Sequence, residues 1–231
     1  MIDATMAGMV VDGEWLEAHL GDANLRIVDC ESRGAYERAH IPGAAWPSKH
    51  PYKNPDEPLH VMSPEQFAAA MAELGIGDGT AVVAYDSGGG VSASRLWWCL
   101  KYYGHENVRI LDGGWRLWLK QGRPITMEQP RVAPSIFTPR VDESLLATGD
   151  YVRETMARPD VIVLDVRSDA EWDGTRTPGN NSRGGHIPGS VHLEWTRSLE
   201  AGEDRCLLPS EELREMLAAA GVTPDKEIVT V

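Results

Sequence analysis

The chain states one pattern twice. Residues 25–47 run from an apolar stretch ending in Asp, through a polar turn, to Ala39-His40-Ile41-Pro42-Gly43-Ala44 and a Trp. Residues 161–195 repeat that order, with Gly185-His186-Ile187-Pro188-Gly189-Ser190 as the echo. A pattern of this length repeated at a large interval means two domains of one type, because each copy carries the strand and turn signals of a whole unit. The total of 231 residues allows two domains of about 110–120 residues, each able to bury a core. After the first copy the chain continues through a helix, a strand, a Gly-rich loop, another helix and a last strand. After the second it reaches the matching strand at Val231, so the second copy is expected to stop at its fourth strand.

Short β-branched runs at 25–28, 81–85, 108–111, 161–164 and 228–231 predict strands, and the patterns at 64–74, 93–103, 115–121 and 210–220 predict helices. Strands alternating with helices of about ten residues require crossover connections and a largely parallel sheet covered on both faces. The class is therefore α/β. Ser63-Pro64-Glu65-Gln66 and Pro209-Ser210-Glu211-Glu212 each place a hydroxyl before an acidic first turn, the signature of a helix start. They occupy equivalent places in the two copies. Between 123 and 140, prolines at 124, 130, 134 and 139 remove backbone donors and forbid regular structure. That predicts a first domain over 1–128, an extended linker over 129–140 and the N-terminal part of a second domain over 141–231.

The formal charge of −13 argues against nucleic-acid binding, since a phosphate backbone must be met by clustered Lys and Arg. No window approaches the roughly 20 apolar residues of a membrane span, and the N-terminal residues do not read as a secretory leader, so a cytoplasmic protein is expected. Cys30, Cys99 and Cys206 are too few and too scattered for a disulfide framework, and no Cys-x-x-Cys or His/Cys cluster suggests a metal. No cofactor is expected.

The segment Val82-Val83-Ala84-Tyr85-Asp86-Ser87-Gly88-Gly89-Gly90-Val91-Ser92-Ala93-Ser94-Arg95 is a strand passing through glycines into a helix. Such a turn can present successive backbone N–H groups as an anion cradle, and it is equally the way any α/β unit makes a tight turn. More specific is the order of features. Asp-ended strand, His-Ile-Pro-Gly, capped helix, strand, Gly-rich loop and Trp97-Trp98 helix lead to Gly104-His105-Glu106-Asn107-Val108 and Leu111-Asp112-Gly113-Gly114-Trp115.

In these motifs the chain resembles the tandem rhodanese-like sulfurtransferases over almost its whole length. The resemblance implies two domains, each a parallel sheet flanked by helices, with a first domain that is usually inactive. In the family's second domain a Cys opens the Gly-rich loop. Here Asp86 stands at that place in the first copy. A carboxylate cannot take up a sulfane sulfur, and its charge would repel a donor anion, so the first domain is expected to be silent. Matching 82–85 onto 228–231 puts the second domain's nucleophile one or two positions beyond Val231. None of the three cysteines follows a strand and opens a Gly-rich loop, so the 231-residue chain alone is expected to be inactive and to need a complementing C-terminal fragment.

The second copy carries Asp165-Val166-Arg167 at a strand end, where hydrogen bonds and a pair with Glu171 would orient the turn. A polar insert then follows, from Trp172 to Arg183. Arg176 and Arg183 in that insert could hold an anionic donor, because a guanidinium offers a planar fork of donors to oxyanions. Each is also readable as a solvated surface charge, and Glu171 falls where some relatives carry an Arg. The implied function is transfer of a sulfane sulfur from a small anionic donor, thiosulfate or 3-mercaptopyruvate, to a thiophilic acceptor such as cyanide through a Cys persulfide. The alternatives are a non-catalytic sulfur-carrier or protein-binding module on the same fold and, third, a phosphatase, whose cradle would have to be wider.

Overall fold

The computed structural model describes residues 8–57, 60–177, 179 and 181–231. By internal contacts the chain divides into two compact units, one made of residues up to Leu145 with Gly202–Cys206, the other of Leu146–Ala201 with Leu207–Val231. In chain order the first unit contains β1 (Val10–Val11), α1 (Gly13–Ala18), β2 (Leu25–Asp29), α2 (Arg33–Arg38), β3 (Ala44–Ala45), α3 (Pro64–Glu73), β4 (Ala81–Tyr85), α4 (Val91–Tyr102), β5 (Val108–Leu111) and α5 (Gly114–Lys120). The second contains α6 (Gly149–Thr155), β6 (Val161–Asp165), α7 (Asp169–Trp172), β7 (Val191–His192), α8 (Ser210–Ala219) and β8 (Glu227–Thr230).

The first sheet has the order β1-β5-β4-β2-β3 and every pairing is parallel. Its central strand β4 is buried at all five positions, as a strand covered on both faces must be. Alternation along the pleat divides it between two cores. Val82 and Ala84 face Phe67 and Met71 of α3 and Leu96 and Leu100 of α4. Ala81, Val83 and Tyr85 face Leu16 of α1 and Trp118 of α5. Helix α3 starts as its sequence predicts, with Ser63 and Gln66 bonded reciprocally in a capping box.

Residues 127–140 form no helix or strand, in keeping with their prolines. They are extended but not detached: Phe137 is buried among the side chains of α3 and α4, and Thr138 N donates to Asp78 Oδ1 at 2.7 Å. Just upstream, His40 and Thr126 form an antiparallel bridge.

The second sheet has the order β7-β6-β8, again parallel, the counterpart of β3-β2-β4. Three strands therefore form in the second unit among the described residues, not the four expected. The missing one corresponds to β1, a two-residue strand that pairs only with β5, and the second sheet has no counterpart of β5 to pair with. Burial follows from the same fact. Phe67, Ala70 and Met71 of α3 are buried, whereas α8 has no buried residue, and the second unit's core is a small cluster around Val152, Val163 and Val229.

Candidate active-site loops

The loop after β4 is organised by one carboxylate. Asp86 is 3% exposed, and its Oδ1 accepts from Gly88 N at 2.8 Å and Gly90 N at 2.9 Å. Its Oδ2 accepts from Ser92 N at 2.7 Å and Ala93 N at 2.9 Å. The last two donors belong to the first turn of α4, a twelve-residue helix whose positive end favours an anion. Gly89 and Gly90 have φ of 87° and 89°, the left-handed conformation that bends the chain round the carboxylate. The cradle is real, and the side chain of the residue in the nucleophile position fills it. The four amides therefore find their acceptor within the chain itself.

Two neighbours hold this loop. Glu31 Oε1 accepts from Ser87 N at 2.6 Å and from Ser87 Oγ at 2.5 Å, and Trp115 N donates to the Asp86 carbonyl at 2.9 Å. A Cβ on Gly114 would lie 2.1 Å from that carbonyl oxygen, and Gly114 has φ of +51°, so the Gly-Gly of the Leu-Asp-Gly-Gly-Trp motif allows the β5–α5 turn to press against the loop. Behind them Tyr85 OH donates to Asp29 Oδ2 at 2.6 Å and accepts from Ile41 N at 3.1 Å, which ties the strand end to the His-Ile-Pro-Gly turn. Burial raises the Asp29 carboxyl, opposed by the Tyr85 hydroxyl, and burial together with the Asp29 charge pushes the Tyr85 phenol up.

No cysteine among the described residues takes over the role. Cys30 is buried, and burial and then the Asp86 charge hold its thiol far above the usual range. Cys99 lies within α4, where burial raises it to about 11. Neither is a thiolate near neutral pH, and the thiolate is the nucleophilic form. Cys206 lies against Gly113 of the β5–α5 turn but does not itself follow a strand or open a helix.

In the second unit Asp165 and Val166 correspond to Asp29 and Cys30. Cys30 N donates to Tyr85 O at 2.8 Å, and Val166 N donates to Val231 O at 3.1 Å. Val231 thus holds the position of Tyr85, and the residue after it corresponds to Asp86.

Arg167 corresponds to Glu31, the residue that grips the loop in the first unit. Its Nε donates to Asp165 Oδ1 and Oδ2 at 2.9 and 3.1 Å, and its Nη2 to Oδ2 at 2.5 Å and to Gly185 O at 3.0 Å. Burial would raise the Asp165 carboxyl, but the Arg167 side chain and backbone outweigh it and hold the carboxyl below its ordinary value. The expected pairing of Arg167 with Glu171 is replaced by this one. Glu171 instead closes a capping box at the start of α7, accepting from Ser168 Oγ at 2.5 Å and Ser168 N at 3.2 Å. The fork fits one carboxylate at a time, and Asp165, with a fully buried side chain, gains more from it.

Arg176 and Arg183 are both exposed, and among the described residues no hydrogen bond brings their guanidinium groups together or to Arg167. Pro178 and Asn180, part of the same insert, lie outside the described residues. The neck of the insert is closed where Gly174 meets Gly185: a Cβ on Gly174 would lie 2.9 Å from Gly185 N. His186 Nδ1 donates to Trp172 O at 2.9 Å, and its ring stacks on Trp172 with centroids 3.6 Å apart. His192 stacks on the same indole at 4.7 Å. Sequence reading gave Arg167 only a turn-orienting role and passed over Glu31. The signal was present as Asp29-Cys30-Glu31-Ser32 against Asp165-Val166-Arg167-Ser168, an aligned position at which the charge inverts.

Comparison with known proteins settles the family. The rhodanese-like domain matches residues 12–121 and again 148–231. The chain belongs to the rhodanese-like family. Its tandem arrangement and the likeness over both domains place it with the two-domain sulfurtransferases. Among curated proteins it is 34% identical to the sulfur carrier protein TtuD of Thermus thermophilus, over 96% of this chain and 81% of that protein. It is 32% identical to a thiosulfate sulfurtransferase of Azotobacter vinelandii, over 100% of this chain and 84% of the relative. Among solved structures it matches SseA from Escherichia coli, a 3-mercaptopyruvate sulfotransferase, with a TM-score of 0.83 and 28% identity over 96% of this chain and 87% of the other. Within this rhodanese-like chain no group of His, Cys, Asp or Glu able to hold a metal occurs among the described residues, and no helix there is long and apolar enough to cross a membrane.

Proposed function

We propose that this tandem rhodanese-like protein transfers sulfur by double displacement, with thiosulfate or 3-mercaptopyruvate as donor and a Cys at the position after Val231 as nucleophile. The observation that carries the reading is the register: the position equivalent to Asp86 falls there, and in the first domain that position receives four backbone N–H groups. The same donors around a thiol would favour its thiolate, as helix N-termini and oriented amides do. The thiolate attacks the outer sulfur of thiosulfate, the S–S bond breaks with its electron pair leaving on sulfite, and an enzyme persulfide remains. A thiophilic acceptor such as cyanide then attacks the terminal sulfur, thiocyanate leaves, and the thiolate is regenerated.

Arg167 takes the place of the loop-gripping Glu31, so a cation stands where the first domain has a carboxylate, which favours an anionic donor at the second loop. Arg176 and Arg183 extend that basic lining from the insert. The 231-residue chain by itself is inactive on this reading, and a C-terminal fragment supplying the loop restores it, in a cytoplasmic setting that keeps thiols reduced. The test is to extend the chain past Val231 with its natural continuation, incubate with either donor and measure the mass of one added sulfur atom on the protein. A residue other than Cys at that position, or no added sulfur with either donor, refutes the reading. The sulfur-carrier alternative is supported by the likeness to TtuD, and it predicts a persulfide that is passed to a protein thiol but not to cyanide.

A further inference from the structure

His192 follows Val191 in the edge strand β7 and sits against the turn that carries Arg167. Its Nε2 lies 2.9 Å from the Arg167 carbonyl oxygen, which can only accept, so Nε2 bears hydrogen. When the imidazole is neutral, Nδ1 is then a bare lone pair. It faces Asp169 Oδ1 at 3.5 Å, another acceptor, with no hydrogen between them. Asp169 meanwhile accepts from Arg197 Nη2 at 2.8 Å through the same oxygen, and its backbone N donates to Glu194 Oε2 at 3.2 Å. The remaining charges facing the ring are Asp165, whose carboxyl feels the imidazole, and the Arg167 guanidinium bonded to it. Trp172 covers the ring, and His186 stacks on that same indole. The His192 side chain is only 13% exposed, so a charge placed on it is partly shielded from water.

We propose that His192 is a proton-operated positioning residue for Arg167. Protonation puts hydrogen on Nδ1, turns the facing acceptors into an ion pair with Asp169 and draws the ring onto α7 while Nε2–H keeps its hold on the Arg167 carbonyl. One added positive charge then lies beside the Asp165–Arg167 pair, and an anion arriving at the end of β6 binds more tightly. The part that concerns the donor rests on the sulfurtransferase reading; the proton-operated pair does not.

Imidazole is the side chain suited to such a change between about pH 5 and pH 8, and an imidazolium stacked on an indole quenches its emission. The experiment uses the complete protein, extended past Val231, and reads the emission of Trp172 as wild type minus Trp172→Phe. Acidification from about pH 8 to about pH 5.5 is expected to quench it in a single-proton step. Because His186 stacks on the same indole, the step is read in a His186→Gln background, where it is expected to remain and to disappear when His192→Gln is added; the glutamine amide still supplies a donor to the Arg167 carbonyl and so preserves a merely structural role. Asp169→Asn in that background removes the facing charge and is expected to leave the quench incomplete at the same final pH. Thiosulfate, titrated calorimetrically, is expected to bind about two- to fivefold more tightly across the same step in wild type and with flat pH dependence in His192→Gln. In the His186→Gln background, a step that survives His192→Gln, or a quench unchanged by Asp169→Asn, overturns the pair. An intact pair with thiosulfate affinity independent of pH overturns the positioning role. An intact pair with neither thiosulfate nor 3-mercaptopyruvate bound at any pH refutes the sulfurtransferase reading itself and, with it, the donor half of the proposal.

Discussion

Asp86→Ala removes the anion from a cradle that the rest of the first domain has already built. Four backbone N–H groups at 2.7–2.9 Å lose their acceptor at a site where the carboxylate is 3% exposed. A hydrogen bond to a charged group is worth about 1.5–3 kcal/mol, but one carboxylate shared by four donors does not give four times that. Water can also reach the Gly88 and Gly90 side of the loop, since Gly88 is exposed and Gly90 only half-buried. The buried Ala93 amide and the half-buried Ser92 amide carry most of the loss, so we expect a destabilisation of about 3–4 kcal/mol. For a unit of this size that lowers the melting temperature by roughly 6–14 °C. The decisive arm is rescue. If the amides form a preorganised cradle, a free carboxylate or sulfate should bind the space left behind, and at ten times its dissociation constant it restores about 1.4 kcal/mol. Calorimetric melts of wild type and Asp86→Ala, each with and without acetate and sulfate at constant ionic strength, measure both effects. A variant within about 0.5 kcal/mol of wild type, or one that added anions stabilise no more than they stabilise wild type, refutes the assignment of Asp86 as the built-in occupant.

Three further outcomes follow from particular contacts. Gly114→Ala brings a Cβ to 2.1 Å from the Asp86 carbonyl at a left-handed φ, and should cost more than about 2 kcal/mol in urea unfolding, with Asn no better because the clash is with backbone. Asp165 has its folded value held below its unfolded value, so its contribution is present above about pH 4 and is lost as pH falls through the folded value. Urea midpoints measured from pH 6 downward should therefore fall more steeply in wild type than in Asp165→Asn, and parallel curves would count against the pair with Arg167. In the extended protein, Arg167→Lys should raise the KM for thiosulfate severalfold and fail to restore the geometry, because an ammonium cannot fork onto Asp165 while holding the Gly185 carbonyl.

Most of the first domain was legible because its strands are bounded by turn residues and its helices by caps. The strands at 81–85 and 108–111 fall where the sequence puts them, and the four predicted helices end within two residues of their predicted limits. What escaped sequence reading was short or dependent on a partner. Strands β1, β3 and β7 are two residues each, too brief for any alternation to register, and exist through pairing alone. Helices α1, α2, α6 and α7 span four to seven residues, and each has its polar cap, Asp12, Ser32, Thr148 and Ser168, without an apolar stripe long enough to count. The site was legible in kind and not in detail. Glycines before a helix suggested an anion cradle, but only coordinates could show that Asp86 turns inward to occupy it, because sequence gives the residue and not its rotamer.

The two domains differ at the loop by a charge inversion that is consistent with their roles. In the first, the cradle holds a carboxylate that is part of the chain, and the amide and hydroxyl of Ser87 remain to be satisfied; Glu31 takes both. A second carboxylate can approach the filled cradle because the hydrogen bonds it accepts come from Ser87 and the bonds Asp86 accepts come from other residues, so the two acids do not compete for donors. In the second domain the aligned residue is Arg167, which cannot accept from a loop amide at all. On the proposed reading a cation serves there because negative charge comes and goes at the loop as a thiolate, a dianionic donor and a persulfide succeed one another. Its guanidinium must also be held in one orientation, or it would swing away from the loop. Asp165 takes two of its nitrogens and the Gly185 carbonyl is bonded by one of those same two, which fixes the guanidinium plane and leaves Nη1 with no hydrogen bond among the described residues. Exchanging the two residues, Glu31→Arg with Arg167→Glu, should therefore do unequal harm. The first change removes the acceptor from Ser87 and should appear as lost stability. The second buries an acid against Asp165 and should abolish donor binding as well.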